Sequence, residues 1–143
     1  PVGAMLAKQP YVQGFEPGAH ASTFGGTPIA TAAVIATIET MLAERVPERA
    51  AEAGEYLLGR LREALAGVPG VAEIRGKGLL IGIVCDQPAA DKIAELHRRG
   101  LLVVPAGPNV IRLLPNLLVT REEIDEAVGL IQSVLAKAPA TNA

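Results

Sequence analysis

From Pro28 to about Leu42 the apolar residues recur at helical spacing but occupy more than one face. Ile29, Ala33, Ile35, Ile38 and Leu42 are joined by Ala30, Val34 and Met41, and the polar positions between them are mostly Thr31, Thr37 and Thr40. The pattern predicts a helix buried on several sides, packed between a sheet and another helix or a second subunit. Glu44-Arg45-Val46-Pro47 interrupts it, because a residue before proline is biased out of helical geometry and Pro47 suits a new helical start. The next helix is expected to run to about Ala66, with Ala50, Ala53, Leu57, Leu61, Ala64 and Leu65 inward. Glu48, Arg49, Glu52, Glu55, Arg60, Arg62 and Glu63 make its solvated face, and Gly67-Val68-Pro69-Gly70 stops it.

Beyond Gly70 the period changes. Val71 to Arg75 and Leu79 to Cys85 read as strands joined tightly at Gly76-Lys77-Gly78. Asp86-Gln87-Pro88 opens a helix to about Arg99, with Ala89, Ile93 and Leu96 on one face and Gly100 closing it. Leu101 to Val104 is the next expected strand, Ala106 to Asn109 a turn, and Val110 to Leu114 another strand. A last helix starts at Thr120, with Glu123 in the capping-box position, and carries Ile124, Val128, Ile131 and Leu135; the tail from Ala138 is expected to fray. This order describes a small α+β layer, its helices on one side of a mainly antiparallel sheet.

The residues ahead of Pro28 are of another kind. Pro1-Val2-Gly3-Ala4-Met5-Leu6-Ala7 reads as a small-residue apolar strand with no earlier segment to pair with, so the chain is expected to begin inside a fold, as the C-terminal piece of a longer protein. Lys8 to His20 is irregular. Gly18-Ala19-His20-Ala21-Ser22-Thr23-Phe24-Gly25-Gly26-Thr27-Pro28 then runs straight into the first helix, with Thr27 as N-cap and Pro28 at the first helical position. Hydroxyls at Ser22 and Thr23, glycines that let a backbone approach a ligand, and a helix start together suit an anion such as phosphate. An ordinary capped helix after a surface turn accounts for the same residues.

Composition narrows the function classes. With 143 residues the chain is sized for one core, and no apolar run approaches the roughly 18 to 20 residues of a membrane span. Its 13 basic and 15 acidic residues leave a net charge of -2, and the aromatics are Tyr11, Phe15, Phe24 and Tyr56, so neither a basic footprint nor a stacking platform for nucleic acid is present. A lone Cys85 excludes an internal disulfide, and no Cys/His cluster has metal-ligand spacing. These features point to the cytoplasm. Cys85 sits in an apolar strand and reads as a small core residue; His97, beside Arg98 and Arg99 at a helix C-terminus, reads as a solvated partner of the helix dipole. His20 lies in the polar loop and is either a structural hydrogen-bonder or a catalytic group. Arg112 is harder to dismiss, because in Val110-Ile111-Arg112-Leu113-Leu114-Pro115 it interrupts an apolar strand. Burying a guanidinium unpaired costs several kcal/mol, so Arg112 either reaches water at a sheet edge or captures a carboxylate of a substrate or of the protein.

Pro1-Val2-Gly3-Ala4, His20 to Pro28, Arg75-Gly76-Lys77-Gly78-Leu79-Leu80-Ile81-Gly82 and Asn109 to Pro115, in that order, resemble the C-terminal part of a class III pyridoxal-phosphate-dependent aminotransferase. The resemblance covers the chain up to its last helix. It implies an α/β fold-type I transferase, with residues 1–45 as the end of the large cofactor-binding domain and 46–143 as an interdomain helix and small α+β domain. It implies a homodimer with shared active sites, in which Thr23 reaches across the interface to the phosphate of pyridoxal 5'-phosphate. Ser22 stands beside it at a substrate-binding position, and Arg112 receives the substrate α-carboxylate or a gating acidic residue. The motifs sit nearest to members that move the amino group of N-acetylornithine to 2-oxoglutarate in arginine biosynthesis. Ornithine, succinylornithine and 4-aminobutyrate are alternative donors, and a non-catalytic dimerisation module is the alternative of another class.

The sequence departs from the family pattern at Ala21, where glycine is usual, at Thr27, where asparagine is usual, and at Asn116, where a second proline is common. The family's Schiff-base lysine belongs to a segment expected just upstream of Pro1, and its aspartate for the pyridine nitrogen further upstream. Lys8, Lys77 and Lys92 do not match that lysine, so no catalytic residue is assigned and the 143 residues alone are expected to be inactive.

Overall fold

The computed structural model describes residues 2–16 and 18–136. They divide into two compact units, Pro1–Glu44 and Arg45–Ala143.

In the first unit the regular elements are a single 3-10 turn, Tyr11–Gly14, and the helix α1, Pro28–Ala43. Residues 2–7 form no strand, contrary to the sequence expectation. A strand needs a hydrogen-bonded neighbour, and among the described residues of this unit there is none; Val2, Gly3 and Ala4 instead border a groove along Ala30, Ala33, Val34 and Thr37 of α1. The helix itself forms as predicted, but its burial does not: none of its residues is buried, with Ile29 85% and Leu42 69% exposed. The small apolar residues have no second layer inside this unit to pack against.

The second unit holds the core. Helix α2, Val46–Ala64, is followed by strands β1, Val71–Lys77, and β2, Leu80–Cys85, then helix α3, Ala90–Arg98, strands β3, Val104–Pro105, and β4, Val110–Leu113, and helix α4, Arg121–Leu135. The sheet order is β1-β2-β4-β3, antiparallel at every pairing. Alternation decides its two faces. Ile81, Ile83, Ile111 and Leu113 are buried and join Leu57 and Leu61 of α2, Ile93 and Leu96 of α3 and Ile124, Val128 and Ile131 of α4 in one apolar cluster. Glu73, Arg75, Lys77, Leu80 and Arg112 stand exposed on the other face. Both Thr120 and Glu123 complete the capping box of α4, with Glu123 N–H donating to Thr120 Oγ1 at 3.2 Å and Thr120 N–H to Glu123 Oε2 at 2.8 Å.

The strand expected over Leu101–Val104 shrinks to Val104–Pro105, because its first residues spend their backbone groups on the end of α3. Leu101 N–H donates to the Leu96 carbonyl at 3.0 Å, and His97 Nε2 lies 2.6 Å from the Val103 carbonyl. His97 is therefore tied to the chain after the helix, rather than being only a solvated partner of the dipole. Cys85 is buried, as a core residue should be, and desolvation pushes its thiol pKa up. The tail from Ala138 lies outside the described residues.

Candidate functional site

The loop before α1 is tied by short-range bonds. Ser22 Oγ accepts from Gly25 N–H at 3.0 Å; Thr27 Oγ1 donates to the Phe24 carbonyl at 3.2 Å and accepts from Ala30 N–H at 3.4 Å as N-cap. Thr31 then bonds back to Thr27, through N–H at 2.9 Å and Oγ1 at 3.1 Å. The local sequence dictates this: serine and threonine hydroxyls compete for backbone donors over three-residue spans, and Pro28 requires the chain to turn helical at its start. His20 makes a ring contact with Phe15, centroids 5.8 Å apart, and no hydrogen bond among the described residues.

Thr23 is the exception within the tied loop. Its hydroxyl is exposed and has no partner among the described residues, and the same holds for the N–H groups of Thr23, Phe24 and Gly26. Residues 18–28 contain no acidic side chain. Free hydroxyl and amide donors without a nearby carboxylate are the donor set a phosphate takes, so the loop fits that group.

Arg112 lies on β4, which is flanked on both sides by other strands, so it is not at a sheet edge. It reaches solvent on the open face of the sheet and makes no hydrogen bond or ion pair among the described residues. The groove beside it has a volume of about 400 Å³ and is lined also by Arg75, Lys77, Gly82 and Ala106. A guanidinium held by a strand, at the rim of a groove and without an internal carboxylate, is ready for bidentate capture of an external one. The structure thus places Ser22 and Thr23 together in one loop of the first unit and Arg112 in the second. Sequence reasoning passed over Arg75 as part of a hairpin and Lys77 as a turn residue; the strand register that puts Arg75 in line with Arg112 is the signal it lacked.

Among the described residues no group of His, Cys, Asp or Glu could hold a metal ion, and no helix is long and apolar enough to cross a membrane.

Comparison with known proteins settles the class. The family profile "Aminotransferase class-III" matches residues 1–135, and the chain belongs to that family of pyridoxal-phosphate-dependent transaminases. It is 49% identical over 142 residues to an acetylornithine aminotransferase of Bacillus subtilis, covering 99% of this chain and 37% of that one. It is 46% identical over 136 residues to the acetylornithine aminotransferase of Methanothermobacter thermautotrophicus, with 95% of this chain and 35% of the other covered. Among solved structures, a Plasmodium falciparum ornithine δ-aminotransferase superposes with a TM-score of 0.79 at 31% identity, over 91% of this chain and 35% of that one. The chain spans about a third of the length of the relatives it matches.

Proposed function

We propose that the full-length protein carrying this chain transfers the amino group of N-acetylornithine to 2-oxoglutarate, in arginine biosynthesis, as a cytoplasmic homodimer with pyridoxal 5'-phosphate as cofactor. The observation that carries the site assignment is the hydroxyl of Thr23, without a partner among the described residues, in a loop whose other hydroxyls, on Ser22 and Thr27, are already hydrogen-bonded. Thr23 would hold the cofactor phosphate, with Ser22 beside it at the substrate. Arg112 would hold a substrate carboxylate; a charge-assisted bidentate pair contributes about 1.5–3 kcal/mol, enough to fix which end of the substrate enters first. When bound, the cofactor supplies an electron sink for the amino-acid carbon that loses its proton. This chain's part is to grip and to orient.

In this reading residues 1–45 close the large cofactor-binding domain and residues 46–143 form the interdomain helix and the small domain. The exposed apolar side of α1 supports an assembly in which other parts of the protein or a second subunit cover it. N-acetylornithine is favoured as donor by the identity to two acetylornithine aminotransferases. Ornithine is the second reading, favoured by the structural likeness to an ornithine δ-aminotransferase. Comparing kcat/KM of the full-length protein for N-acetylornithine, ornithine, succinylornithine and 4-aminobutyrate, with 2-oxoglutarate as acceptor, tests the choice: N-acetylornithine is expected to exceed the others by at least about tenfold, or about 1.4 kcal/mol in transition-state binding.

A further inference from the structure

On the helix side of the sheet, α2 and the first turn of α4 border a cleft of about 150 Å³. Helix α2 supplies Arg49, Glu52 and Ala53, which share one face at helical spacing, and α4 supplies Arg121 and Ile124. The loop before α4 adds Leu117 and Val119, and it is held in shape: Leu118 N–H donates to Asn116 Oδ1 at 2.8 Å and Val119 N–H to the Asn116 carbonyl at 3.2 Å. Glu52 and Arg121 carry opposite charges and line the same cleft. They form no ion pair with each other, and neither has a hydrogen-bond or ion-pair partner among the described residues. Arg121 is nevertheless placed, because its guanidinium carbon sits 4.9 Å from the centroid of the Tyr56 ring, and the Tyr56 hydroxyl is bonded to both carboxylate oxygens of Asp125 at 3.0 Å. Stacking uses the flat face of a guanidinium and leaves open its N–H edge, the fork that grips a carboxylate.

We infer that this cleft is a binding site for a small neutral α-amino acid in its zwitterionic form, with the carboxylate on the Arg121 fork, the ammonium on Glu52 and the side chain against the apolar wall of Ala53, Val119 and Ile124. Charge decides among the ligand classes. A plain carboxylate leaves Glu52 facing it as a like charge, a plain amine leaves Arg121 in the same position, and a diacid brings a second negative charge against Glu52. A ligand with one charge of each sign satisfies both groups. The small volume admits a compact side chain rather than a long one. Arg49 adds positive potential on the carboxylate side of the balance. Arg112 stands on the opposite, open face of the sheet, so the inference depends neither on the reading of that residue nor on the reaction proposed above.

The test is isothermal titration of the full-length holoenzyme with three probes of one ring shape: proline, whose ring nitrogen cannot be transferred, cyclopentanecarboxylate, which lacks the ammonium, and pyrrolidine, which lacks the carboxylate. Wild type is expected to bind proline at least about tenfold more tightly than either of the others. E52Q is expected to weaken proline about tenfold and to leave cyclopentanecarboxylate unchanged or tighter, because a like charge has gone. R121Q is expected to weaken proline and cyclopentanecarboxylate and to spare pyrrolidine, and R121K, which keeps the charge without the fork, to recover part of the loss. Glu52 is exposed and glutamine is a comparable helix former, so E52Q reads the site even if R121Q disturbs the contact with Tyr56. No saturable binding of proline to wild type at about 10 mM, or a proline-to-cyclopentanecarboxylate ratio unchanged in E52Q, overturns the site. Proline held equally by wild type, E52Q and R121Q is bound elsewhere on the enzyme, and that outcome overturns it too.

Discussion

Gly54 of α2 lies directly against the backbone of Gly78, in the turn between β1 and β2. A Cβ at position 54 would run into the carbonyl carbon, carbonyl oxygen and Cα of Gly78, all of them backbone atoms that cannot swing aside. Gly54 is buried in the middle of a helix, where glycine is otherwise unfavourable by about 1 kcal/mol relative to alanine. The close approach wins over the propensity, and it seats the hairpin that carries Arg75 and Gly82.

Gly54→Ala should therefore destabilise despite its better helix propensity. Overpacking of about 1–3 kcal/mol, offset by about 1 kcal/mol of propensity, leaves a net loss at the upper end of about 2 kcal/mol. Urea unfolding of the full-length protein checks it; Gly59→Ala, whose Cβ meets nothing within 4 Å on the same helix, should be neutral or stabilising.

A polar clamp joins α2 to α4. Asp125 accepts from Arg60 Nε at 2.8 Å and from the Tyr56 hydroxyl at 3.0 Å, and the Arg121 guanidinium sits 4.9 Å over the Tyr56 ring. The hydrogen bond from Arg60, then that from Tyr56, holds the Asp125 pKa below its ordinary value. A depressed carboxylate pKa contributes stability above the unfolded value, and that contribution is lost as pH falls through the folded one. The Tm gap between wild type and Asp125→Asn should thus be full near neutral pH and close as pH drops below about 4. Tyr56 shows the opposite sign: its pKa is raised, first by the hydrogen bond to Asp125, so its share is present below about pH 10 and lost as pH rises through the raised value. Both groups are solvent-accessible, so the effects should be small and should shrink with added salt.

Burial predicts an inert thiol at Cys85. Desolvation raises its pKa, against a smaller opposing effect of Lys92. A disulfide reagent at about pH 8 should leave the native protein unlabelled and modify Cys85 stoichiometrically in denaturant. Rapid native labelling would contradict the packing of β2 against the helices.

Periodicity was enough to read most of the second unit, because its elements are amphipathic and each buries its apolar side within the unit. Thr120 and Glu123 announced the last helix, and Gly76-Lys77-Gly78 the hairpin. The strand at Leu101 was misjudged because an apolar run does not reveal that Leu96 and His97 will claim its backbone groups. Burial of α1 was inferred from the same kind of run, yet the surfaces such a helix needs are not in its own unit. At the site, Thr23 and Arg112 were legible as polar residues in settings that did not explain them. Arg75 was not, since only the register places it opposite Gly82 in the same row as Arg112. The motif resemblance supplied the family, which the match over residues 1–135 bears out.

The most direct measurement is the affinity of the full-length protein for pyridoxal 5'-phosphate, followed by cofactor absorbance, in wild type and Thr23→Ala. Losing one hydrogen bond to a charged phosphate costs about 1.5–3 kcal/mol, so the variant's Kd should rise by about tenfold or more, while Thr23→Ser keeps most of the affinity. An unchanged Kd in Thr23→Ala would contradict the assignment of this loop to the cofactor phosphate.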